Sequence, residues 1–211
     1  MRRTGALTRR LRVSTRPADR GVTLVELLVY SALLVLVLTI VGSMLYRALV
    51  SQRDVRAVTE ASNTAQLVAS SVESGVRNAA AIKYTALAGA DELLVARASF
   101  GSTVAPSWTC VGWFYDASEK VLYTRRVSPT GAPTPAITAP STPANYATWV
   151  ALADGVVPLT VGAHVFTPAP IAAPTMVSVD MKVLAGTRKP TAMSSSFVSR
   201  PQGETGSAPC F

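Results

Sequence analysis

The chain has 211 residues, of which 49% are hydrophobic and only 15% charged, and a formal net charge of +8. That length holds one modest domain with appendages or two small ones, and no more. The positive balance does not indicate a nucleic-acid partner: residues 1–21 carry seven arginines (Arg2, Arg3, Arg9, Arg10, Arg12, Arg16, Arg20) against Asp19, so +6 of the +8 sits there and only +2 follows Gly21, with no basic stripe of the kind DNA binding requires.

The basic leader precedes an apolar run. Residues 27–46 contain no charge and no proline, matching the roughly 20 residues that a transmembrane helix needs. A basic segment before such a span follows the positive-inside pattern, which predicts a cytoplasmic N-terminus and an extracytoplasmic remainder. A secretory signal peptide would have a shorter apolar core, about 7–15 residues, followed by a small-residue cleavage site. TRRLRV (residues 8–13) loosely matches a twin-arginine export signal, but the short core and cleavage site are missing there too. One carboxylate, Glu26, stands near the start of the apolar run. A charge inside a membrane-spanning helix costs roughly 2.5–3.5 kcal/mol or more, so it usually marks a function. The plainer alternative is an ordinary signal anchor with Glu26 solvated among lipid headgroups.

Beyond Tyr46 continuous hydrophobicity gives way to a stripe: Val55, Val58, Ala61, Ala65, Val68, Val72, Val76 and Ala79. Steps of three and four put them on one helix face. Arg53, Asp54, Arg56, Glu60, Asn63, Gln66 and Glu73 fall between them and are expected in solvent. No proline occurs between Val22 and Ala105, and Gly75 is the only glycine between Gly42 and Gly89. The pattern predicts one continuous helix over residues 22–80, about 85–90 Å long at 1.5 Å per residue. Its second half is amphipathic, and the narrow Ala/Val stripe must be buried against something.

Strands follow. ELLVARASF (92–100), WTCVGWFYD (108–116) and KVLYTRRV (120–127) are rich in β-branched and aromatic residues, and the ASE turn between the last two predicts a hairpin. HVFTP (164–168), TMVSVDMKVL (175–184) and the weaker AMSSSFVSR (192–200) are further candidates. SPTGAPTPAITAPSTPANY (128–146) reads as a long exposed loop, and residues 201–211 as an irregular tail unless Cys210 pins them. The expected fold class is α+β: a long N-terminal helix whose distal half packs on an antiparallel sheet of four to six strands. The divisions are a leader (1–21), a membrane or assembly half of the helix (22–50), an amphipathic half (51–80) and a β-rich domain (81–211).

Cys110 and Cys210 lie beyond the span, on the side that topology puts outside, and form a candidate disulfide; two unrelated thiols are the alternative. Closing a loop of about 100 residues stabilises by at most about 4.7 kcal/mol on the chain-entropy model. His164 is the only histidine, so His-paired nucleophiles and multi-histidine zinc sites are absent; it reads as an ordinary polar residue in or beside a strand. Asp116, Glu119 and Asp180 read as solvated acids rather than a hydrolase pair. There is no phosphate loop, dinucleotide fingerprint or calcium loop, so no catalytic centre, metal or cofactor is expected. Trp108, Trp113, Phe114 and Tyr115 alternate along one strand and are expected half in the core and half on the surface, with a ligand platform as the alternative.

Taken together, RGVTLVELLVYSALLVLVLTIVGSMLYRAL (residues 20–49) resembles the N-terminus of a type IV prepilin or pseudopilin. Those precursors carry a basic leader ending in glycine, then a mature chain with a hydrophobic first residue, a glutamate at the fifth and an apolar helix. The resemblance implies cleavage between Gly21 and Val22 by a prepilin peptidase, methylation of the Val22 amine, and Glu26 as the fifth residue of the mature chain. VRNAAAIKYT (76–85) and WTCVGWFYDASEKVLYTRRV (108–127) are more loosely similar to minor pilins of the PilW or PilJ type. Val22 departs from the family's usual phenylalanine or methionine, and the leader is long. The implied protein is a structural subunit, not an enzyme. Its partners would be the prepilin peptidase, other pilins met through the N-terminal helix, and a membrane assembly platform, with no direct nucleic-acid binding. It would wait in the cytoplasmic membrane with its N-terminus inside and become extracytoplasmic in a filament. A type II secretion pseudopilin and a DNA-uptake pilin share these features. An uncleaved bitopic anchor with an extracytoplasmic binding domain is the rival of another class.

Overall fold

A computed structural model describes residues 21–101, 106–128, 136–186, 188–200 and 210–211. The basic leader and its twin-arginine-like stretch lie outside the described residues, as do most of the tail and part of the Pro/Thr-rich segment. The long helix α1 spans Leu24–Arg77 without a break, as the absence of proline predicts. The chain divides into two compact units, Met1–Leu49 and Val50–Phe211.

In the first unit α1 begins at a cap. The Thr23 hydroxyl accepts a hydrogen bond from the Glu26 backbone N–H (3.2 Å) and the Thr23 carbonyl accepts from Leu27 N–H (3.1 Å), satisfying donors that a helix start leaves without partners. The helix that follows is long and apolar enough to cross a membrane. Its side chains, among them Leu24, Leu27, Leu34, Val35, Leu38 and Met44, are all exposed.

The second unit holds the rest of α1 and all nine described strands. β1 (Ala79–Ala86), β2 (Glu92–Gly101), β3 (Pro106–Asp116), β4 (Val121–Val127) and β5 (Val150–Ala153) form a five-stranded antiparallel meander in sequence order. A second sheet contains β6 (Val156–Pro158), β7 (Phe166–Ala169), β8 (Met176–Ala185) and β9 (Arg188–Val198). There β8 pairs with β6 through Met181–Val183, with β7 through Met176–Val179, and with β9 along most of its length. The structure therefore bears out the α+β class, a long N-terminal helix packed on antiparallel sheet, but uses two sheets where the sequence suggested one.

One core joins the helix to both sheets. Ala61, Ala65, Val68, Val72 and Val76 pack with Leu94, Ala96, Val111, Trp113, Tyr115 and Leu122 of the first sheet and Val177, Val179, Met181, Val183 and Phe197 of the second. The buried stripe begins at Ala61: Val55 and Val58, expected within it, are 63% and 44% exposed. The helix ends at Arg77 rather than near residue 80, where the Asn78 side chain takes up the Ser74 carbonyl at 2.9 Å. Ala79 is buried as expected, but as the first residue of β1. Gly75 fits the packing closely. A Cβ there would lie 2.1 Å from Trp113 Cη2, and the Trp113 indole N–H donates to Ser71 Oγ at 3.0 Å.

A second core covers the other face of the five-stranded sheet, where Leu93, Val95, Cys110 and Phe114 meet Ile137, Trp149 and Cys210. This double burial explains why β2 and β3 read as nearly continuous apolar runs rather than an alternation. It also corrects two expectations. Trp113 and Tyr115 lie in the main core and Phe114 under the second, so none of the three reaches the surface; Trp108 is half-buried, with the Arg97 guanidinium 5.2 Å from its ring centre. The Pro/Thr-rich segment is not wholly an exposed loop, because Ile137 is 3% exposed and the short helix α2 (Pro143–Tyr146) brings Tyr146 against Phe114 and Tyr123.

Cys110 and Cys210 form a disulfide, with Cα atoms 5.5 Å apart. It fixes Cys210 over the sheet, where the Cys210 carbonyl accepts a hydrogen bond from Ile137 N–H (3.0 Å). The candidate pairing is thus the observed one.

Candidate functional site at the start of the helix

Gly21, Val22 and Thr23 precede the first helical residue, Leu24. The Gly21–Val22 peptide bond therefore lies in non-helical chain, and a Cβ built on Gly21 would meet nothing within 4 Å. Val22 is 62% exposed. Three residues after the Thr23 cap, Glu26 falls in the first turn, where a carboxylate faces the positive end of the helix macrodipole. The cap is readable from the sequence: Thr23-Leu24-Val25-Glu26 has the Thr-x-x-Glu spacing of a capping box.

The Glu26 carboxylate also has a side-chain partner. Tyr30, one turn on, donates its hydroxyl to Glu26 Oε1 at 2.9 Å. The aliphatic hydroxyls along this apolar stretch turn back onto the helix. Ser31 Oγ donates to the Leu28 carbonyl, Thr39 Oγ1 to Val35 and Ser43 Oγ to Ile40, at 2.9, 2.7 and 2.8 Å. The site is therefore one carboxylate and one phenol on an apolar, exposed helix that begins three residues after a non-helical glycine.

Several acids of the second unit serve the fold. Glu92, on β2, is 1% exposed, and its two oxygens accept hydrogen bonds from Val165 N–H and Phe166 N–H, each at 2.8 Å. It thus stitches the first sheet to the start of β7 in the second. His164 Nδ1 lies 3.4 Å from Glu92 Oε1 and 3.2 Å from the Tyr84 hydroxyl. Burial pushes the Glu92 pKa up, opposed by the Phe166 and Val165 amides and by His164. The Tyr84 pKa is raised by burial and by Glu92, and that of Tyr115 is pushed to about 12 by burial and by Glu92. His164 does stand beside a strand, as expected, and there it is the partner of a buried carboxylate.

Asp116, expected in solvent, is 4% exposed. It organises the β3–β4 turn by accepting from Ser118 N–H, Ser118 Oγ, Glu119 N–H and the Tyr146 hydroxyl. Burial pushes its pKa up, but those hydrogen bonds outweigh it and hold the carboxyl below its ordinary value. Glu119 accepts from the Tyr123 hydroxyl and Asp180 from Ser194 Oγ. Asp54 is not free in solvent as expected: Arg188 binds it through Nε and Nη2 at 2.7 and 2.6 Å. Among the described residues no group of three or more His, Cys, Asp or Glu side chains could hold a metal ion.

Compared with known proteins, the chain matches no family model, no curated protein and no solved structure.

Proposed function

We propose that this chain is a minor type IV pilin-like structural subunit, cleaved after Gly21 and assembled into or priming a filament through its N-terminal helix. The observation that carries this reading is the lone Glu26 carboxylate, fifth after Gly21, at the start of an apolar helix whose membrane-length window buries nothing within its own chain. Before cleavage the Val22 nitrogen is a peptide amide. Afterwards it is a cationic amine, which Glu26 of an adjacent subunit neutralises. An opposite charge within about 4–6 Å favours both ionised forms, and a charge buried without its partner is strongly unfavourable. The pair therefore rewards one axial register, and leader removal switches assembly on. The arginine-rich leader orients the N-terminus to the cytoplasm by the positive-inside pattern. The bulk of a two-sheet domain supports the minor role, because a large head crowds a repeating lattice but suits a tip or initiation complex.

The decisive measurement is the N-terminus of the protein extracted from its native host. The expected result is a mature chain beginning at N-methylated Val22. A mature chain that still begins at Met1 overturns the reading in favour of an uncleaved anchor. Glu26→Ala is expected to be cleaved normally and to be lost from sheared filaments; unchanged incorporation defeats the charge-register mechanism. Dominance of this chain in quantitative mass spectrometry of filaments would refute the minor role.

A further inference from the structure

We infer that Tyr30 is a positioning residue for Glu26: its hydroxyl holds one carboxylate oxygen, so that the other is presented to the cation of a neighbouring subunit. This rests on the assembly reading above and adds to it a second side chain of the same subunit.

The apolar stretch carries several hydroxyl donors. A hydroxyl in hydrocarbon must be satisfied within the protein, and Ser31, Thr39 and Ser43 meet that need on carbonyls of their own helix. The Tyr30 phenol is too long and too rigid to fold back so, and at i+4 it reaches the residue one turn below. That residue is the only acid between Gly21 and Arg47. The resulting bond, Tyr30 Oη to Glu26 Oε1 at 2.9 Å, is of the charge-assisted kind when the carboxyl is ionised. Among the described residues Glu26 Oε2 has no partner.

Two consequences follow. Before assembly the phenol offsets part of the loss of water that Glu26 suffers beside lipid. During assembly the carboxylate has one rotamer already fixed, so the incoming amine meets an ordered acceptor and less side-chain entropy is lost on pairing. Tyr30 itself need not touch the neighbouring amine.

The test uses the full-length protein with Y30F, E26Q and the double variant. In detergent-solubilised, 13C-glutamate-labelled protein, the infrared difference between parent and E26Q isolates the Glu26 carboxyl band, and the same subtraction in the Y30F background shows whether that band moves. In the native host, quantitative mass spectrometry gives the ratio of filament to membrane pools. The expected result is a shifted band together with an incorporation ratio lowered about tenfold to a hundredfold, the scale of one hydrogen bond to a charged group. An unmoved band overturns the proposal, and so does a moved band with unchanged incorporation. Full incorporation of E26Q overturns the assembly reading itself and the positioning role with it. Loss of incorporation by E26Q while Y30F stays at the parent level leaves that reading standing and refutes only the role of Tyr30.

Discussion

Gly75→Ala separates helix propensity from packing. In an exposed helix interior this substitution stabilises by about 1 kcal/mol. Here the new Cβ would stand 2.1 Å from Trp113 Cη2 and 2.8 Å from Cζ2, whereas carbon atoms rest at about 3.5–4.0 Å. The ring or the helix must therefore give by about 1.5 Å to reach ordinary contact. Neither moves freely: Trp113 is fully buried and its indole N–H is held by Ser71 Oγ. Overpacking costs about 1–3 kcal/mol, and loosening the indole hydrogen bond adds about 1 kcal/mol. Set against the propensity gain, the expected net loss is about 1–3 kcal/mol. In a domain of this size each kcal/mol lowers Tm by about 2–4 °C. The assay is urea and thermal unfolding of the full chain in detergent, followed by tryptophan fluorescence. A variant as stable as the parent, or more so, would refute the packing argument. Trp113→Phe should relieve part of the penalty, making the double variant less destabilised than the sum of the singles.

Other perturbations test the polar stitches and the covalent one. Glu92→Gln presents an amide NH2 to one of the two backbone donors of Val165 and Phe166; a loss of about 1–3 kcal/mol is expected, and unchanged stability and amide exchange at those residues would refute it. Because the folded-state pKa of Glu92 is raised above its ordinary 4.5, its ionisation lowers stability as pH climbs from there through the folded value, and Glu92→Gln should lack that slope. Asp116 has the opposite sign. Its folded value lies below the ordinary 3.8, so its contribution is full above that pH and is lost as pH falls through the folded value; Asp116→Asn should flatten this acid limb, and an unaltered profile would exclude Asp116 as its source. Replacing Cys110 and Cys210 together by serine should destabilise by up to about 4.7 kcal/mol, and an unchanged Tm would show that the bridge only decorates the fold.

The fold class and the helix were legible because their signals are local. An apolar run, an unbroken 3.6-residue periodicity and the absence of proline are properties of consecutive residues, and six of the nine described strands announced themselves by composition or by the ASE turn. The extent of the buried stripe was not legible: Val55 and Val58 repeat at the right spacing, but nothing in the spacing says where the opposing sheets stop. β1 escaped because AAAIKYTA looks like a continuing helix. The short β5 and β6 escaped because three or four residues carry no period. The second layer over the five-stranded sheet depends on Ile137, Trp149 and Cys210 arriving from distant parts of the chain. The buried states of Glu92 and Asp116 arise in the same way, from partners supplied by a distant strand and by α2. In the candidate site Glu26 stood out as the one charge in an apolar run, and its Thr23 cap and Tyr30 partner lay at spacings of three and four that could have been read beforehand.

The sulfur bridge also determines how the second unit would carry a load. Tension applied between the helix and Phe211 runs along α1, β1, β2 and the first part of β3, then crosses from Cys110 directly to Cys210. Everything between those two cysteines hangs outside the load path. Such a pull can peel β1 and β2 away from their neighbours, but it cannot draw out the enclosed strands at about 3.5 Å per residue. Reduction would return that slack to the chain, making its extensibility a property of the redox state of its surroundings.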